Sequence, residues 1–533
     1  MFHRKRNHRE RNASVLVLTL IVVVLLTLGA MAFSDRMFAE HRAANAAGRQ
    51  LQARQLAESG VDYARAMLMQ DPLVLKDSGG TYANPSLFQG ILMVDDPLPA
   101  FRGRFTLLAP DITLDGYYGG IRYGLENESS RLNLNTVLLA DSGGEDGARK
   151  LLMALPGMTE SIADAILDWI DPDEEARMLG AERNYYSTLD PPYAPRNGPL
   201  GSIEELLMVR EVTPALLFGA DLNRNCAVDG IEQPLTVIDN VDNTMGYLNR
   251  GWAAYLTLDS AETNLRPDGT PKIDVNKENL EELHKELKEA LGVEMANFIV
   301  AYRQGGVYGG DETGQSASSI QLDLKQPGRE RLTTILDLIG VKTQIARAPQ
   351  GGGGGATQNR DGGNLRGNAP SRIVVNAEFP EDGVQSYLTK LMDNLAVNAA
   401  PSIPGRININ QAPRILLAGI PGLDSTAVDE IIADRDVTLG IQRPEQVHET
   451  WLLEQGVVDL DEMKRLMPMV TAGGSVYRAQ VVGFFDAEGP ADRMEVVIDA
   501  TQSPPVIRRR WELRELGPGY SPQVLGAPLE DNL

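Results

Sequence analysis

Residues 14–33 read SVLVLTLIVVVLLTLGAMAF, an apolar run without a single charge. A helix needs about 20 residues, at 1.5 Å each, to cross roughly 30 Å of hydrocarbon. Ahead of the run stand Arg4, Lys5, Arg6, Arg9 and Arg11 against one acid, Glu10, while the charge after Phe33 is mixed. That imbalance keeps the short N-terminus cytoplasmic and places everything after Phe33 outside. Nothing later in the sequence is apolar and long enough for a second span.

A cleavable secretory signal would also show a basic stretch and an apolar core. Here the apolar run is longer than such a core and no break follows it. SDRMFAEHRAANAAGRQLQARQLAESGVDYARAMLMQ, residues 34–70, has no proline and is rich in Ala, Leu, Arg, Gln and Glu, all good helix formers. Leu56, Val61, Ala64 and Leu68 recur at helical spacing. The pattern predicts one helix over residues 14–69, about 80 Å long, half in lipid and half in water.

The chain of 533 residues is long enough for several domains. Its net charge of −23 repels phosphate backbones and anionic headgroups. The lone Cys226 excludes an intramolecular disulfide, and the five histidines are scattered. There is no Cys/His cluster, Walker loop, GxSxG elbow or HExxH, so no enzyme signature is present.

A Gly/Pro-punctuated connector, residues 71–96, precedes FRGRFTLLAP and GYYGGIRYGLENESS, which read as strand, turn and strand. Far downstream VYRAQVVGFF, DRMEVVIDAT and VIRRRWELREL alternate as strands. Early and late strands are expected to pair into one antiparallel sheet against the first helix, giving an α+β fold with a large, mostly helical insertion. Within it RLNLN, KIDVN and RININ open three copies of one pattern, ending at Asn135, Asn276 and Asn410. An apolar helix, a turn around Gly157, Gly292 or Gly422, a second helix and a shorter third one follow each. QGGGGGATQNRDGGNLRGNAPS, residues 350–371, reads as a flexible linker between the second and third copies.

LPGM and IPGL before apolar helices resemble helix-hairpin-helix motifs. The DNA-binding versions cradle a phosphate with backbone N–H groups, aided by a second Gly and a Lys. This chain offers Thr159 and Ser161, Glu294, and Asp424 and Thr426 at the corresponding places. The acids of the second and third copies disfavour a phosphate, so the hairpins are expected to be packing units, with Leu155, Met158, Ile162 and Ile166 in the core and no nucleic acid bound.

The N-terminus resembles type IV pilins and type II secretion pseudopilins, whose basic leader is cut by a prepilin peptidase before the apolar helix. The matching junction is Ala13–Ser14. Major pilins carry Glu at the fifth mature position, where this chain has Leu18. Lack of that acid is characteristic of the K-type minor pseudopilin, the general secretion pathway protein K family. GLENESSRLNLNTV, ADAILDWIDPDEEAR, AERNYYSTLDPPYAPRNGPLGSIEELLMVREVT and GRININQAP are similar to the same family. The third hairpin and the Gly-rich stretch depart from it. The resemblance implies an inner-membrane protein with a single span and periplasmic bulk. It also implies a place at the pseudopilus tip, and the I- and J-type minor pseudopilins as partners. The expected division is leader (1–13), spanning helix (14–33), its exposed continuation (34–70) and first part of the sheet (71–130). Hairpin modules (131–232 and 233–345), linker (346–371), third module (372–475), last strands (476–517) and tail (518–533) follow. Two other readings are a membrane-anchored competence-type DNA receptor, which needs basic hairpin tips that are absent, and a calcium-stabilised adhesin.

DLNRNCAVDGIE, residues 221–232, matches a calcium loop by position. Asp221, Asn223 and Asn225 fall at 1, 3 and 5, the Ala227 carbonyl at 7, Asp229 at 9 and Glu232 at 12. Cys226 takes position 6, where Gly normally makes the turn, so a strained backbone or an open loop is expected. Asp171, Asp173 and Glu174 in DWIDPDEEAR form a second acidic cluster, read as a solvated helix end. Arg508, Arg509 and Arg510 beside Trp511 read as a sheet rim, and Asn135, Asn276 and Asn410 as helix caps.

The junction generates the first test. N-terminal sequencing of the mature protein should begin at Ser14. An intact leader, or cleavage beyond Phe33, contradicts the pilin-like reading.

Overall fold

The computed structural model describes residues 9–143, 146–238, 240–346, 372–435, 443–487 and 489–528. The first part of the leader (1–8), nearly all of the Gly-rich stretch (347–371) and the end of the tail (529–533) lie outside the described residues.

One helix, Arg9–Leu68, carries the apolar run straight into the soluble part. Among the described residues it is the one helix long and apolar enough to cross a membrane. Its side chains from Val15 to Phe38 stand exposed, and the last turns bury Ala53, Leu56, Ala57, Val61 and Ala64. These are mostly small, so helix and sheet approach closely. Gly60 lies directly over Val481 and Phe105, with no room for a Cβ. Underneath, Phe105, Leu107, Val481, Met494 and Val496 supply the apolar area, worth about 25 cal/mol per Å2 removed from water.

The sheet is antiparallel, with strands in the order Ile91–Val94, Gly103–Ile112, Val476–Phe485, Asp492–Asp499 and Val506–Glu512. Tyr118–Tyr123 pairs with Gly103–Ile112, and Glu126–Asn127 with Val476–Phe485. The expected α+β fold, with early and late strands sharing one sheet, is therefore the observed one. Sequence reading missed the edge strand Ile91–Val94 inside the connector.

The insertion builds one continuous apolar core running from Leu132 to Val470. Its hairpins are Gly147–Met153 with Glu160–Ile170, Leu280–Leu291 with Val293–Gly305, and Arg414–Gly419 with Ser425–Asp434. The third helix of each copy is shorter than expected: 3-10 turns Ile203–Met208 and Ile335–Leu338, and the helical turn Trp451–Glu454.

Each copy opens with a two-residue strand held in parallel by a partner that arrives much later. Leu132–Asn133 pairs with Leu256–Thr257, Ile273–Asp274 with Leu395–Ala396, and Ile407–Asn408 with Val470–Thr471. The second pairing moves the Gly-rich stretch. Lys342–Ala346 and Arg372–Val375, its two flanks, are antiparallel neighbours, and the closing strand of the second copy comes only afterwards. Both flanks therefore belong to the second module, and the third begins only after Leu395–Ala396.

The three asparagines are not helix caps. In each copy the side chain two residues earlier (Asn133, Asp274 or Asn408) accepts the asparagine's own N–H at 3.0, 2.9 and 3.0 Å. The amide is thereby aimed across the module. Asn135 exchanges two hydrogen bonds with the Leu200 backbone, and Asn276 does the same with Leu332 while also donating to the Val397 carbonyl. Asn410 donates to the Gln446 and Ala472 carbonyls and accepts from Trp451 Nε1. The long-range partners win because the segment before the third helix has backbone groups that no regular element satisfies.

A buried ion network sits where the insertion leaves the sheet. Arg131 forks onto Glu126 at 2.6 and 3.1 Å, and its Nη1 donates to the Ala253 carbonyl. Arg478, on the central strand, bridges Glu128 and Glu495. The Glu128 side chain is fully buried. Burial works against its ionisation, but Arg478 and Arg131 outweigh it and hold the carboxyl below the ordinary range. Removing one member strands a buried charge, at a cost of about 3–5 kcal/mol. Arg131→Leu should therefore lower the thermal midpoint of the detergent-solubilised chain sharply, whereas Arg36→Leu, which removes the exposed Arg36–Glu40 pair, should leave it within a degree or so. Equal, small effects would show that the network contributes little.

Candidate functional site

Residues 221–232 fold into a closed loop knit by their own hydrogen bonds. Asp221, buried at the end of the first module, accepts the N–H groups of Asn225 and Cys226, both at 2.9 Å. Asn223 Oδ1 also accepts from Asn225 N, and Asn225 Oδ1 from Ala227 N. Cys226 takes the left-handed backbone, φ 65°, that glycine usually supplies, at a cost of about 1–2 kcal/mol. The bond from its N–H to Asp221 holds it there, so cysteine strains the loop without opening it.

The carboxylates at positions 9 and 12 are occupied. Asp229 receives the Asn223 side-chain amide at 2.7 Å. Glu232 accepts from Asn223 N at 3.1 Å and Asp229 N at 2.9 Å. Burial raises the Asp221 carboxyl above the usual range, opposed by Arg250 and by the two N–H donors. The loop is thus closed, with several of the oxygens that a calcium ion would need spent on its own N–H groups.

The second acidic cluster is built differently. Helix Glu160–Ile170 ends at Asp171 because Pro172 cannot continue it. Asp171 is only 6% exposed, so it is not the solvated helix end the sequence suggested. Glu174 turns away to pair with Arg183. Its place is taken by Glu182, buried at the start of the turn Arg183–Tyr186. Asp171, Asp173 and Glu182 place carboxylate oxygens within 4.8 Å of one another, the one such acidic group among the described residues. Both oxygens of Glu182 and Oδ1 of Asp171 are buried without a hydrogen-bond partner. So is Oδ1 of Asn197, whose amide donates to the Asp173 carbonyl at 2.5 Å. Arg177 neutralises the far side, at 2.8 Å from Asp168 and 2.5 Å from Asp171. Burial, then the charges of Asp168 and Asp171, push the Glu182 carboxyl up to about 7.

Orphaned acceptors of this kind are what a hard cation satisfies. Calcium takes six to eight oxygens at about 2.3–2.6 Å, and this donor set is all oxygen. Glu182 and Asn197 could not be found from the sequence, since the fold brings them to Asp171 from separate turns.

Thr159 and Asp424 cap the second helices of the first and third hairpins, accepting N–H from Ile162 at 3.2 Å and Ala427 at 2.8 Å. The N–H groups that would cradle a phosphate already have partners. The cations of residues 508–510 are matched as well, Arg508 by Asp499, Arg509 by Asp259 and Arg510 by Glu58.

Residues 130–219 match the family described as type II secretion system (T2SS), protein K. The matched segment holds the first hairpin and the Asp171–Glu182 cluster. Over these residues the match bears out the resemblance to that minor pseudopilin read first from the sequence. No curated protein matches the chain. A solved structure to which it is similar is the GspK-GspI-GspJ complex from the enterotoxigenic Escherichia coli type 2 secretion system. It agrees at 12% identity over 88% of this chain and 98% of that one, with a TM-score of 0.35.

Glu182 also sets a pH test. Its folded-state value of about 7 lies above the ordinary carboxylate value of about 4.3, so the folded chain keeps a proton that the unfolded chain releases. This group's contribution is complete below about pH 4.3 and is lost as pH rises through about 7. With chelator present, Glu182→Gln should show a shallower fall in thermal midpoint between about pH 5 and 8 than the parent. An identical slope would show that Glu182 does not titrate there.

Proposed function

We propose that this chain, whose residues 130–219 match the family described as type II secretion system (T2SS), protein K, is a minor pseudopilin at the tip of a pseudopilus. There it would start assembly and support protein secretion across the outer membrane. The observation that carries the reading is the family match falling on the insertion, in a chain whose one long apolar helix leads into an antiparallel sheet. Its role is structural, by assembly, and not enzymatic.

The prepilin peptidase removes residues 1–13 at Ala13–Ser14, leaving a single-pass inner-membrane precursor with periplasmic bulk. Leu18 suits a terminal subunit. A glutamate at that depth needs the N-terminal amine of a neighbour, because an unpaired charge in an apolar surrounding is costly. A subunit with none above it has no such partner to meet. The insertion blocks further stacking, and the I- and J-type pseudopilins are the expected partners. A competence-type DNA receptor is disfavoured by the acidic chain and by Thr159 and Asp424, which occupy the hairpin caps.

Calcium belongs to this proposal. The cluster of Asp171, Asp173 and Glu182 offers it three orphaned oxygens, one of Asp171 and two of Glu182, and the loop with Asp221, Asn223, Asn225, Ala227, Asp229 and Glu232 is a second candidate. An ion that binds only the folded state stabilises it by RT ln(1 + [L]/Kd), about 2.7 kcal/mol at a hundredfold excess over Kd.

Deleting the gene should abolish secretion by the host's type II system, and the parent sequence should restore it. Unimpaired secretion in the deletion strain contradicts the assignment. Calcium should raise the thermal midpoint of the purified chain, and Asp171→Asn with Glu182→Gln should remove most of that rise. Should Asp221→Ala with Glu232→Ala remove it instead, the loop is the site. An unchanged response in both variants contradicts both.

A further inference from the structure

A cavity of 290 Å3 lies between the sheet and the first module, away from the Asp171 cluster. The sheet contributes Arg478, Gln480, Glu495, Arg509 and Trp511, and the insertion contributes Glu204, Phe218, Asp221, Arg224, Arg250 and Asp259 among others. Buried guanidinium groups ordinarily sit against carboxylates, and most of these do. Arg131 has Glu126, Arg478 has Glu128 and Glu495, and Arg509 has Asp259.

Arg250 has none. Its guanidinium lies 4.8 Å from the centre of the Tyr118 ring, and its Nη1 is buried with no hydrogen-bond partner. Arg224, on the same wall, makes no ion pair within 4.0 Å among the described residues and lies 5.9 Å from the Phe218 ring centre. The acids facing Arg250 are Asp221, whose oxygens hold the Asn225 and Cys226 N–H groups, and Glu126, which is committed to Arg131. The cavity also has room for an oxyanion with water, given about 30 Å3 per water.

We propose that this cavity binds a small tetrahedral oxyanion, of the phosphate or sulfate class, between Arg250 and Arg224. Two guanidinium forks are suited to such a group, since each can donate a pair of parallel N–H bonds. Bound there, the anion joins the central sheet to the first module and supplies acceptors to two guanidinium groups that make no ion pair within 4.0 Å among the described residues.

Trp511 lines the cavity, while Trp169, Trp252 and Trp451 are fully buried, so Trp511 fluorescence can report occupancy. The full chain in detergent, with chelator, is titrated with inorganic phosphate or sulfate at ionic strength held constant with chloride. A saturable emission change is expected, absent from Trp511→Phe, with acetate much weaker than either oxyanion. Arg250→Met should weaken binding at least tenfold. Arg250→Lys, which keeps the charge and loses the fork, should fall between, and serves if Arg250→Met fails to fold. No saturable response in the parent, or parent affinity in both Arg250 variants, would overturn the proposal. Acetate binding as tightly as phosphate would contradict its tetrahedral class.

Discussion

The structure depends on a small number of charges buried where the insertion leaves the sheet. Glu126, Glu128, Arg131, Arg478 and Glu495 come from both ends of the insertion and from the sheet itself. A buried charge is tolerated only when geometry supplies its partner, so these groups demand one arrangement of the two chain ends. The register fixes it: Asn127, where the chain departs, faces Tyr477, just after it returns. Asn127 also donates to the Gly474 carbonyl at 3.0 Å, tying the departing strand to the incoming one a second time. The insertion is thereby tied to the sheet domain at both of its ends.

Inside it, one device is used three times. An Asx residue turns the backbone, and the asparagine two positions on reaches across to the segment before the third helix. Two-residue parallel strands then close each module. Strands this short have little stability of their own, and the shared apolar core supplies it. A second ion triad, Arg406 with Glu262 and Glu449, binds the opening of the third module to a strand that follows the first. The modules therefore interlock.

Much of this was legible in residues whose signal is local. Residues 476–485 alternate over their full length, and the strand observed there has those bounds. The helix from the apolar run onward announced itself by unbroken helix formers. The edge strand Ile91–Val94 was hidden because four residues between glycine and proline carry too little periodicity. The asparagines were misread because Asn before a helix serves equally as a cap or as a long-range clamp, and only the fold decides which carbonyls it meets. In the acidic cluster, Asp171 and Asp173 were visible, but Glu182 and the neighbouring Asn197 were not. Their approach is set by the turns at Pro172 and Arg183, and no spacing rule covers it. The Gly-rich stretch was placed between modules because the closing strand of the second, Leu395–Ala396, is too short to read.

The account claims above all that the neck is part of the folded sheet and no mere tether. Native-state hydrogen exchange on the full chain tests this directly, because slow amides report the free energy of opening each segment. Residues 125–134 and 476–482 should exchange together, at the slow rate of the central sheet. Fast exchange at 125–134, with the sheet and the three modules both protected, would mean that the insertion is loosely tethered and would contradict the account.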